Sequence, residues 1–263
     1  MKWALVDEQR QEAQPDLSGI CPACKSQMIA KCGDVRVHHW AHRGRRECDR
    51  WWESETEWHR SWKNKFPSNW QEVVHPAENG EWHIADVKTD QGWVLEFQHS
   101  KIHPDERKAR EAFYQRLVWV VDGTRRKRDK PQFLDALQRE PEDTSLFRII
   151  PECALLRDWT GSTAPVLFDF LGGDKQEDAQ LWCLFRIIKG MAYVGQLSGS
   201  DFISYHSPEE KRNNRDFSGF WRDINSKIEG IIYRKEFYQS RQTFDPLAAM
   251  LQRQGQPRRM RRL

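Results

Sequence analysis

The chain has 263 residues, a formal net charge of +3 and 38% hydrophobic residues. This length predicts one large or two modest domains, and 13 Trp and 13 Phe side chains can supply a core despite the modest hydrophobic fraction. No apolar run is long enough to span a bilayer. The first residues, MKWALVDEQRQ, turn polar at once, which argues against a signal peptide. We therefore expect a cytoplasmic protein that does not enter a membrane.

Basic residues cluster in three arginine-rich stretches, at residues 43–50, 125–130 and 258–262. Clustered cations of this kind favour a polyphosphate partner, and we expect that partner to be a nucleic acid, specifically DNA. The alternative is that each stretch is a solvated loop or tail.

Residues 1–50 are rich in cysteine and histidine, and they predict a zinc-finger-like module. Cys21, Cys24, His39 and His42 follow the pattern C-x2-C-x14-H-x2-H, whose donors suit a structural zinc ion with four protein ligands. A reducing compartment makes a metal site a better explanation than disulfides. A metal-free loop with core cysteines is the alternative, and there are three competing ligands: His38, Cys32 and Cys48.

Residues 52–66 predict a helix. Trp51, Trp58, Trp62 and Phe66 recur at spacings of seven, four and four, which gives one apolar stripe. A polar row lies beside the stripe and consists of Glu55, His59 and Lys63.

Three strands are predicted next, at residues 71–75, 81–88 and 93–98, with Gly92 in the turn between the last two. A helix then begins at Pro104 and leads into a short buried strand at residues 118–121. The predicted order is therefore α-β-β-β-α-β.

The hairpin around Gln91 places two acids opposite each other. A symmetric turn pairs Thr89 with Trp93 and Asp86 with Glu96, and directly opposed residues have Cβ atoms about 4.5–5.5 Å apart. Such a like-charged pair is unfavourable unless a cation lies between the carboxylates. We therefore expect Asp86 and Glu96 to bind Mg²⁺ or Mn²⁺, which can activate water against a phosphodiester. The alternatives are an exposed acidic face, or neutralisation by one of two lysines, Lys88 or Lys101.

The C-terminal region contains apolar runs between residues 165 and 206 that predict the strands of a second sheet, followed by a helix after Pro208. This region shows no catalytic pattern. We expect a mixed α+β extension with a basic tail, and binding of a protein partner is a further possibility for it.

Several segments occur in order and at fitting intervals: CPAC…HHWAH (21–42), ETEWHRSWK (55–63), HIADV (83–87) and LEFQHS (95–100). They are followed by Arg110, Tyr114 and VWVVD at 118–122. Together these positions resemble the competence protein CoiA-like family and, more widely, the PD-(D/E)XK nucleases. The resemblance covers about residues 15–125.

The resemblance implies an α/β protein with a restriction-endonuclease-like αβββαβ core. Asp86 and Glu96 match the motif acids, Gln98 takes the usual place of lysine, and Glu55 is our choice for the acid of the first helix. In this reading Gln98 positions water and His59 handles a proton. Three regions follow: the zinc-finger-like module (1–50), the nuclease-like domain (51–146) and the extension (147–263).

The function expected from these observations is a divalent-metal-dependent deoxyribonuclease or DNA-processing factor. The main alternative is a DNA-binding accessory protein that uses a nuclease-like scaffold without catalysis, because glutamine at position 98 cannot supply a cation. An interaction protein with no nucleic-acid role is a third reading.

Overall fold

The computed structural model describes residues 1–44, 48–78, 80–171, 180–207 and 216–243. The chain forms two compact units, Met1–Phe220 and Trp221–Leu263. Unit one contains two sheets, and the described part of unit two is helical. None of the described helices has the length and apolar character needed to cross a membrane.

The first sheet is antiparallel and consists of β1 (Trp3–Val6), β2 (Gln9–Glu12), β3 (Ser18–Ile20), β4 (Gln27–Lys31) and β5 (His39–His42). These strands lie in the order β2-β1-β3-β4-β5. The core of this sheet contains Ala4, Cys21, Met28 and Trp40, all nearly or fully buried.

The next elements are α1 (Glu57–Lys63), β6 (Gln71–Pro76), β7 (Trp82–Lys88), β8 (Val94–Gln98), α2 (Pro104–Phe113) and β9 (Leu117–Asp122). They follow the predicted order α-β-β-β-α-β, which is confirmed, and their strands belong to a second sheet of nine described strands. Strand β7 is antiparallel to both β6 and β8, and β8 pairs in parallel with β9.

Helix α1 is shorter than the predicted 52–66. It begins after Thr56, whose hydroxyl accepts a hydrogen bond from the backbone N–H of His59 at 3.3 Å, as an N-cap residue does. Glu55 therefore lies in the extended segment ahead of the helix. The predicted apolar stripe is buried at Trp58, Trp62 and Phe66.

The sequence predicted that the apolar runs of residues 165–206 form a separate sheet, and this prediction is wrong. Their strands join the nine-stranded sheet. The added strands are β10 (Gln138–Arg139), β11 (Leu146–Ile149), β12 (Val166–Asp169), β13 (Gln180–Ile188) and β14 (Met191–Ser198). The order of the described strands is β10-β11-β14-β13-β12-β9-β8-β7-β6. Strand β9 is buried at every residue and pairs on both edges, in parallel with β8 and β12, as expected of a central strand.

The remaining helices are α3 (Asp129–Asp135), α4 (Ala154–Trp159), α5 (Gly199–His206) and α6 (Phe217–Thr243). The last of the apolar runs between residues 165 and 206, DFISYH (201–206), was predicted as a strand but lies in helix α5. Ser198 caps it, since its hydroxyl accepts from the backbone N–H of Asp201 at 3.0 Å, and this local signal outweighs the apolar run. The proposed division between residues 146 and 147 falls inside β11.

Asp169, at the end of β12, fixes helix α1 against the sheet. Its carboxylate accepts hydrogen bonds from the indole N–H groups of Trp58 and Trp62 at 2.9 and 3.0 Å. Trp62 also stacks on Phe97 of β8, with ring centroids 5.7 Å apart. Helix α1 therefore holds its polar side chains beside β7 and β8, where the candidate acids lie.

Candidate functional site

Four metal-binding side chains converge beside the first sheet: Cys21, Cys24, His42 and Cys48. Their ligand atoms all lie within 4.8 Å of one another. The Sγ atoms of Cys21 and Cys48 are 3.9 Å apart, and His42 Nε2 lies 3.3 Å from Cys24 Sγ and 3.4 Å from Cys48 Sγ. A tetrahedral zinc ion with such ligands holds their donor atoms about 3.6–3.8 Å apart. The donor set and its spacing therefore fit a structural zinc ion.

The CxxC turn between β3 and β4 holds two of these thiols on one side. The backbone N–H of Cys21 donates to Ser26 O at 2.9 Å, and that of Lys25 donates to Cys21 O at 3.1 Å. Lys25 adopts a left-handed conformation, with φ of 60°, which closes the turn. His42 ends β5 opposite Met28 of β4, and so faces the same turn.

The structure brings together three of the four predicted zinc ligands and leaves His39 outside. His39 and His42 lie three positions apart on β5, and successive side chains of a strand point to opposite faces. Only one of the two can therefore face the CxxC turn. His39 Nδ1 lies 2.9 Å from the carbonyl oxygen of Val37 instead. Cys48, one of the competing ligands considered from the sequence, takes the fourth corner.

The thiols of the cluster are electrostatically coupled. The hydrogen bond from the Cys48 thiol lowers the pKa of Cys21 to about 4. The same contact raises the pKa of Cys48, and burial raises it further. Without an ion, one thiol must therefore keep its proton to stabilise its neighbour. A cation would favour the thiolate form of every cysteine in the cluster.

A second group of polar side chains lines a cleft next to α1, β7 and β8. The cleft brings together four of the predicted site residues, Glu55, His59, Asp86 and Glu96. Gln98, the fifth, is buried and lies outside the lining. Two cations also line the cleft, Lys63 and Arg110, together with three acids that the sequence had not assigned to a site: Asp49, Glu53 and Glu72.

The predicted register of the hairpin is confirmed. Val87 pairs with Leu95 and Lys88 with Val94, so the next positions outward are Asp86 and Glu96. The Asp86 N–H donates to Glu96 Oε1 at 3.3 Å, and the Phe97 N–H donates to Asp86 Oδ2 at 3.0 Å. The two carboxylates are therefore held close together by the strands that carry them.

Burial makes this pair of acids unfavourable in the ionised form. The pKa of Glu96 is raised to about 8, first by burial and then by the charge of Asp86, while Arg110 opposes the rise. Burial also raises the pKa of Asp86, against the effect of Lys63. Within the described ranges, Asp86 and Glu96 do not join a third His, Cys or acid in a metal-binding group. The side chain of Asp86 remains 25% exposed.

Lys63 connects three acids of the cleft. Its Nζ lies 2.7 Å from Glu55, 2.9 Å from Glu72 and 3.9 Å from Asp86. Burial alone would raise the pKa of Glu55, but Lys63 and Arg60 lower it well below its usual range. Glu55 is therefore an ion-pair partner of Lys63 and Arg60, placed ahead of the helix. The helical spacing of His59 and Lys63 gave the sequence signal for Lys63, whereas Glu72 carried none.

His59 and Gln98 meet at Glu53, which the sequence analysis missed. His59 Nε2 lies 3.3 Å from Glu53 Oε2, and Gln98 Nε2 donates to the same oxygen at 3.0 Å. His59 Nδ1 lies 2.9 Å from Thr56 Oγ1. The available signal was the alternation of acids in WESETE, at positions 53, 55 and 57.

The arginine-rich stretches are only partly available to a phosphate. Arg125 and Arg126 lie 3.5 and 3.2 Å from Asp158, whereas Lys127 and Arg128 are exposed. In the first stretch, the guanidinium of Arg50 forms an ion pair with the carboxylate of Glu81, at an N–O distance of 2.7 Å. Glu81 directly precedes β7. Residues 45–47 and 258–262 lie outside the described residues.

Comparison with known proteins identifies the first part of the chain. Residues 7–50 match the family described as competence protein CoiA, N-terminal domain. No curated protein and no solved structure matches the chain. The match covers most of the first sheet and the whole Cys/His cluster, and it confirms the resemblance to the CoiA family there. The cleft lies mostly beyond the match.

Proposed function

Residues 7–50 belong to the CoiA N-terminal domain family, and from this premise we propose that the protein is a DNA-processing factor with a divalent-metal-dependent deoxyribonuclease centre. The centre is the cleft between α1, β7 and β8. The N-terminal sheet is its zinc module, in which Cys21, Cys24, His42 and Cys48 hold the ion.

One observation carries this proposal: Asp86 and Glu96 lie opposite each other on adjoining strands of an α-β-β-β-α-β arrangement. This arrangement resembles the PD-(D/E)XK nuclease core, in which the two matching acids hold the metal ion. The raised pKa of Glu96, about 8, supports a place for a cation, because a dication would offset the repulsion that burial intensifies.

Lys63 supplies the cation that Gln98 cannot. The amine lies 3.9 Å from Asp86 Oδ1 and comes from the helix instead of the strand. Its pKa is raised because its three acidic neighbours outweigh the effect of burial. We therefore assign to Lys63 the positive charge that faces the reacting phosphate.

In the proposed reaction, water attacks phosphorus and one P–O ester bond breaks. The water gives up one proton to a base, the leaving oxygen gains one, and the products are a hydroxyl and a phosphate monoester. A Mg²⁺ or Mn²⁺ ion held by Asp86 and Glu96 would supply Lewis-acid stabilisation and a more acidic water. His59 lines the same cleft and is the candidate for proton handling.

A second candidate function is DNA binding without catalysis. Arg110 already lies 2.8 Å from Glu96, and Lys63 approaches Asp86, so protein cations can neutralise the acids without an ion. The cleft would then be a scaffold stabilised by ion pairs.

A cleavage assay separates the two functions. Full-length protein is incubated with single- and double-stranded DNA, and with RNA, in Mg²⁺, Mn²⁺ or EDTA. We expect metal-dependent cleavage of DNA that Asp86→Asn abolishes while DNA binding persists. Asp90→Asn, an exposed acid in the turn of the same hairpin, is the matched control and should cleave normally. DNA binding with no cleavage in either metal would support the scaffold function and overturn the nuclease.

A further inference from the structure

Glu53 accepts hydrogen bonds from three consecutive residues at the end of β8, Gln98–Ser100. Its Oε2 accepts from the side-chain amide of Gln98 at 3.0 Å and from the backbone N–H of His99 at 3.4 Å. Its Oε1 accepts from the backbone N–H of Ser100. Only 17% of the Glu53 side chain is exposed. The end of β8 therefore forms a cradle of donors around one carboxylate.

The surroundings of Gln98 fix the orientation of its amide. The group faces two acceptors, the Glu53 carboxylate at 3.0 Å and the carbonyl oxygen of Ser100 at 3.1 Å. Neither can donate a hydrogen bond, so the NH₂ end must face both of them. Both amide protons of Gln98 are consequently used in hydrogen bonds within the protein. Only 3% of the surface of Gln98 is exposed.

Glu53 in turn fixes the tautomer of His59. A carboxylate accepts only, so the ring nitrogen that faces it, Nε2 at 3.3 Å, must carry a proton. In the neutral ring, Nδ1 is then an acceptor. The hydroxyl of Thr56 lies 2.9 Å from Nδ1 and can donate to it, while its lone pair accepts the His59 backbone N–H.

We propose that Gln98 is a positioning residue that acts through Glu53: it holds the Glu53 carboxylate against His59 and thereby keeps the His59 proton on Nε2. This inference rests on the proposed function, because Glu53 and His59 line the cleft that contains Asp86 and Glu96. It replaces the expectation that Gln98 positions the attacking water, since Gln98 lies outside the cleft lining.

The inference also explains why a donor is needed at position 98. A lysine there would still donate to Glu53. A methionine, which has nearly the same length but no N–H group, would leave Glu53 with fewer donors. Gln98→Lys is therefore the rescuing substitution, and Gln98→Met is the disruptive one.

The test reads the tautomer of His59 directly by long-range ¹H–¹⁵N NMR of the histidine rings in full-length, zinc-loaded protein. A His59→Gln variant assigns the signal. We expect the Nε2–H form in the wild type, a mixture of tautomers in Gln98→Met, and loss of the preference in Glu53→Gln. Gln98→Lys should keep the Nε2–H form. The matched control is Gln132→Met, at an exposed glutamine of α3, which should not change the signal.

Cleavage adds a second readout. If the DNA-cleaving activity exists, Gln98→Met should lower kcat about tenfold, the loss expected for one charge-assisted hydrogen bond, with little change in KM. An Nδ1–H tautomer in the wild type, or an unchanged His59 signal in Gln98→Met, would overturn the inference. The absence of cleavage with the expected tautomers would overturn the proposed nuclease alone, because the NMR readout does not depend on activity.

Discussion

Replacing Cys48 by serine tests the zinc module at the position where sequence and structure differ. The sequence spacing assigns the fourth ligand to His39, whereas the structure places Cys48 within 3.9 Å of Cys21 Sγ and 3.4 Å of His42 Nε2. The two assignments make opposite predictions for two conservative variants, Cys48→Ser and His39→Asn. The comparison therefore needs no assumption about activity.

The expected size of the effect follows from the number of ligands. Structural zinc sites bind with about 10–16 kcal/mol of free energy, so one of four ligands accounts for about 2.5–4 kcal/mol if the ligands contribute equally. Loss of one ligand should therefore weaken zinc binding about 10²- to 10³-fold. His39→Asn should leave the affinity within about threefold of wild type, because His39 contacts only the Val37 carbonyl among the contacts described.

The assay combines elemental analysis with chelator competition. Wild type and His39→Asn should each retain about one equivalent of zinc, and a chromogenic chelator should remove the ion from Cys48→Ser at a far lower concentration. Far-UV circular dichroism should report loss of the first sheet as the ion leaves. A Cys48→Ser variant that holds zinc like the wild type, beside a His39→Asn variant that loses it, would refute the assignment from the structure.

Three further predictions concern stability and binding. Glu96→Ala should lower the free energy of unfolding by about 2 kcal/mol in urea titrations, and Glu96→Gln by less, because the alanine removes an acceptor 2.8 Å from buried Arg110; equal losses would contradict this. Affinity for DNA should fall steeply with salt, and Lys127→Ala with Arg128→Ala should reduce the log–log slope by about 2; an unchanged slope would exclude these side chains from phosphate contact. Burial lowers the pKa of His206 from 6.5 to about 4, so the unfolded chain binds this proton more readily. The contribution of neutral His206 to the free energy of unfolding should be complete above about pH 6.5 and decrease by about 3 kcal/mol as pH falls towards 4. His206→Leu should flatten the pH dependence of the free energy of unfolding in this range, and an unchanged dependence would contradict the role of His206.

The sequence predicted the elements around the cleft because local patterns determine them. Gly92 and the alternation of apolar residues set the hairpin, and the hairpin sets the opposition of Asp86 and Glu96, which the pairing of Val87 with Leu95 confirms. No long-range contact is needed for this inference. The same holds for the CxxC turn, in which two ligands are only three positions apart.

Predictions from the sequence were wrong or incomplete where tertiary contacts determine the structure. The strands of the C-terminal region were predicted as a second sheet, because nothing local states that β12 pairs with β9. Cys48 could not be chosen over His39 by spacing alone, although the period of two along β5 would have excluded one of the two histidines. Glu53 was missed because its donors come from the end of β8, 45 residues away in the case of Gln98.

The contacts of Glu72 determine whether a loss of activity in a cleft variant can be attributed to catalysis or to lost stability. This carboxylate accepts hydrogen bonds from the backbone N–H groups of Lys2 and Trp3 at 2.7 and 3.0 Å, and it also binds Lys63 at 2.9 Å. The first strand of the zinc module and the cation of the cleft therefore share one buried acid. A neutral substitution of Lys63 leaves the buried Glu72 carboxylate without its ion-pair partner. This lowers the free energy of unfolding in addition to any effect on activity. Because the disturbed acid also anchors β1, loss of function in a Lys63 variant is evidence for catalysis only when its zinc content and first sheet remain intact. Asp86→Asn is the cleaner substitution, since Asp86 faces the cleft and makes no contact of this kind with β1 among the contacts described.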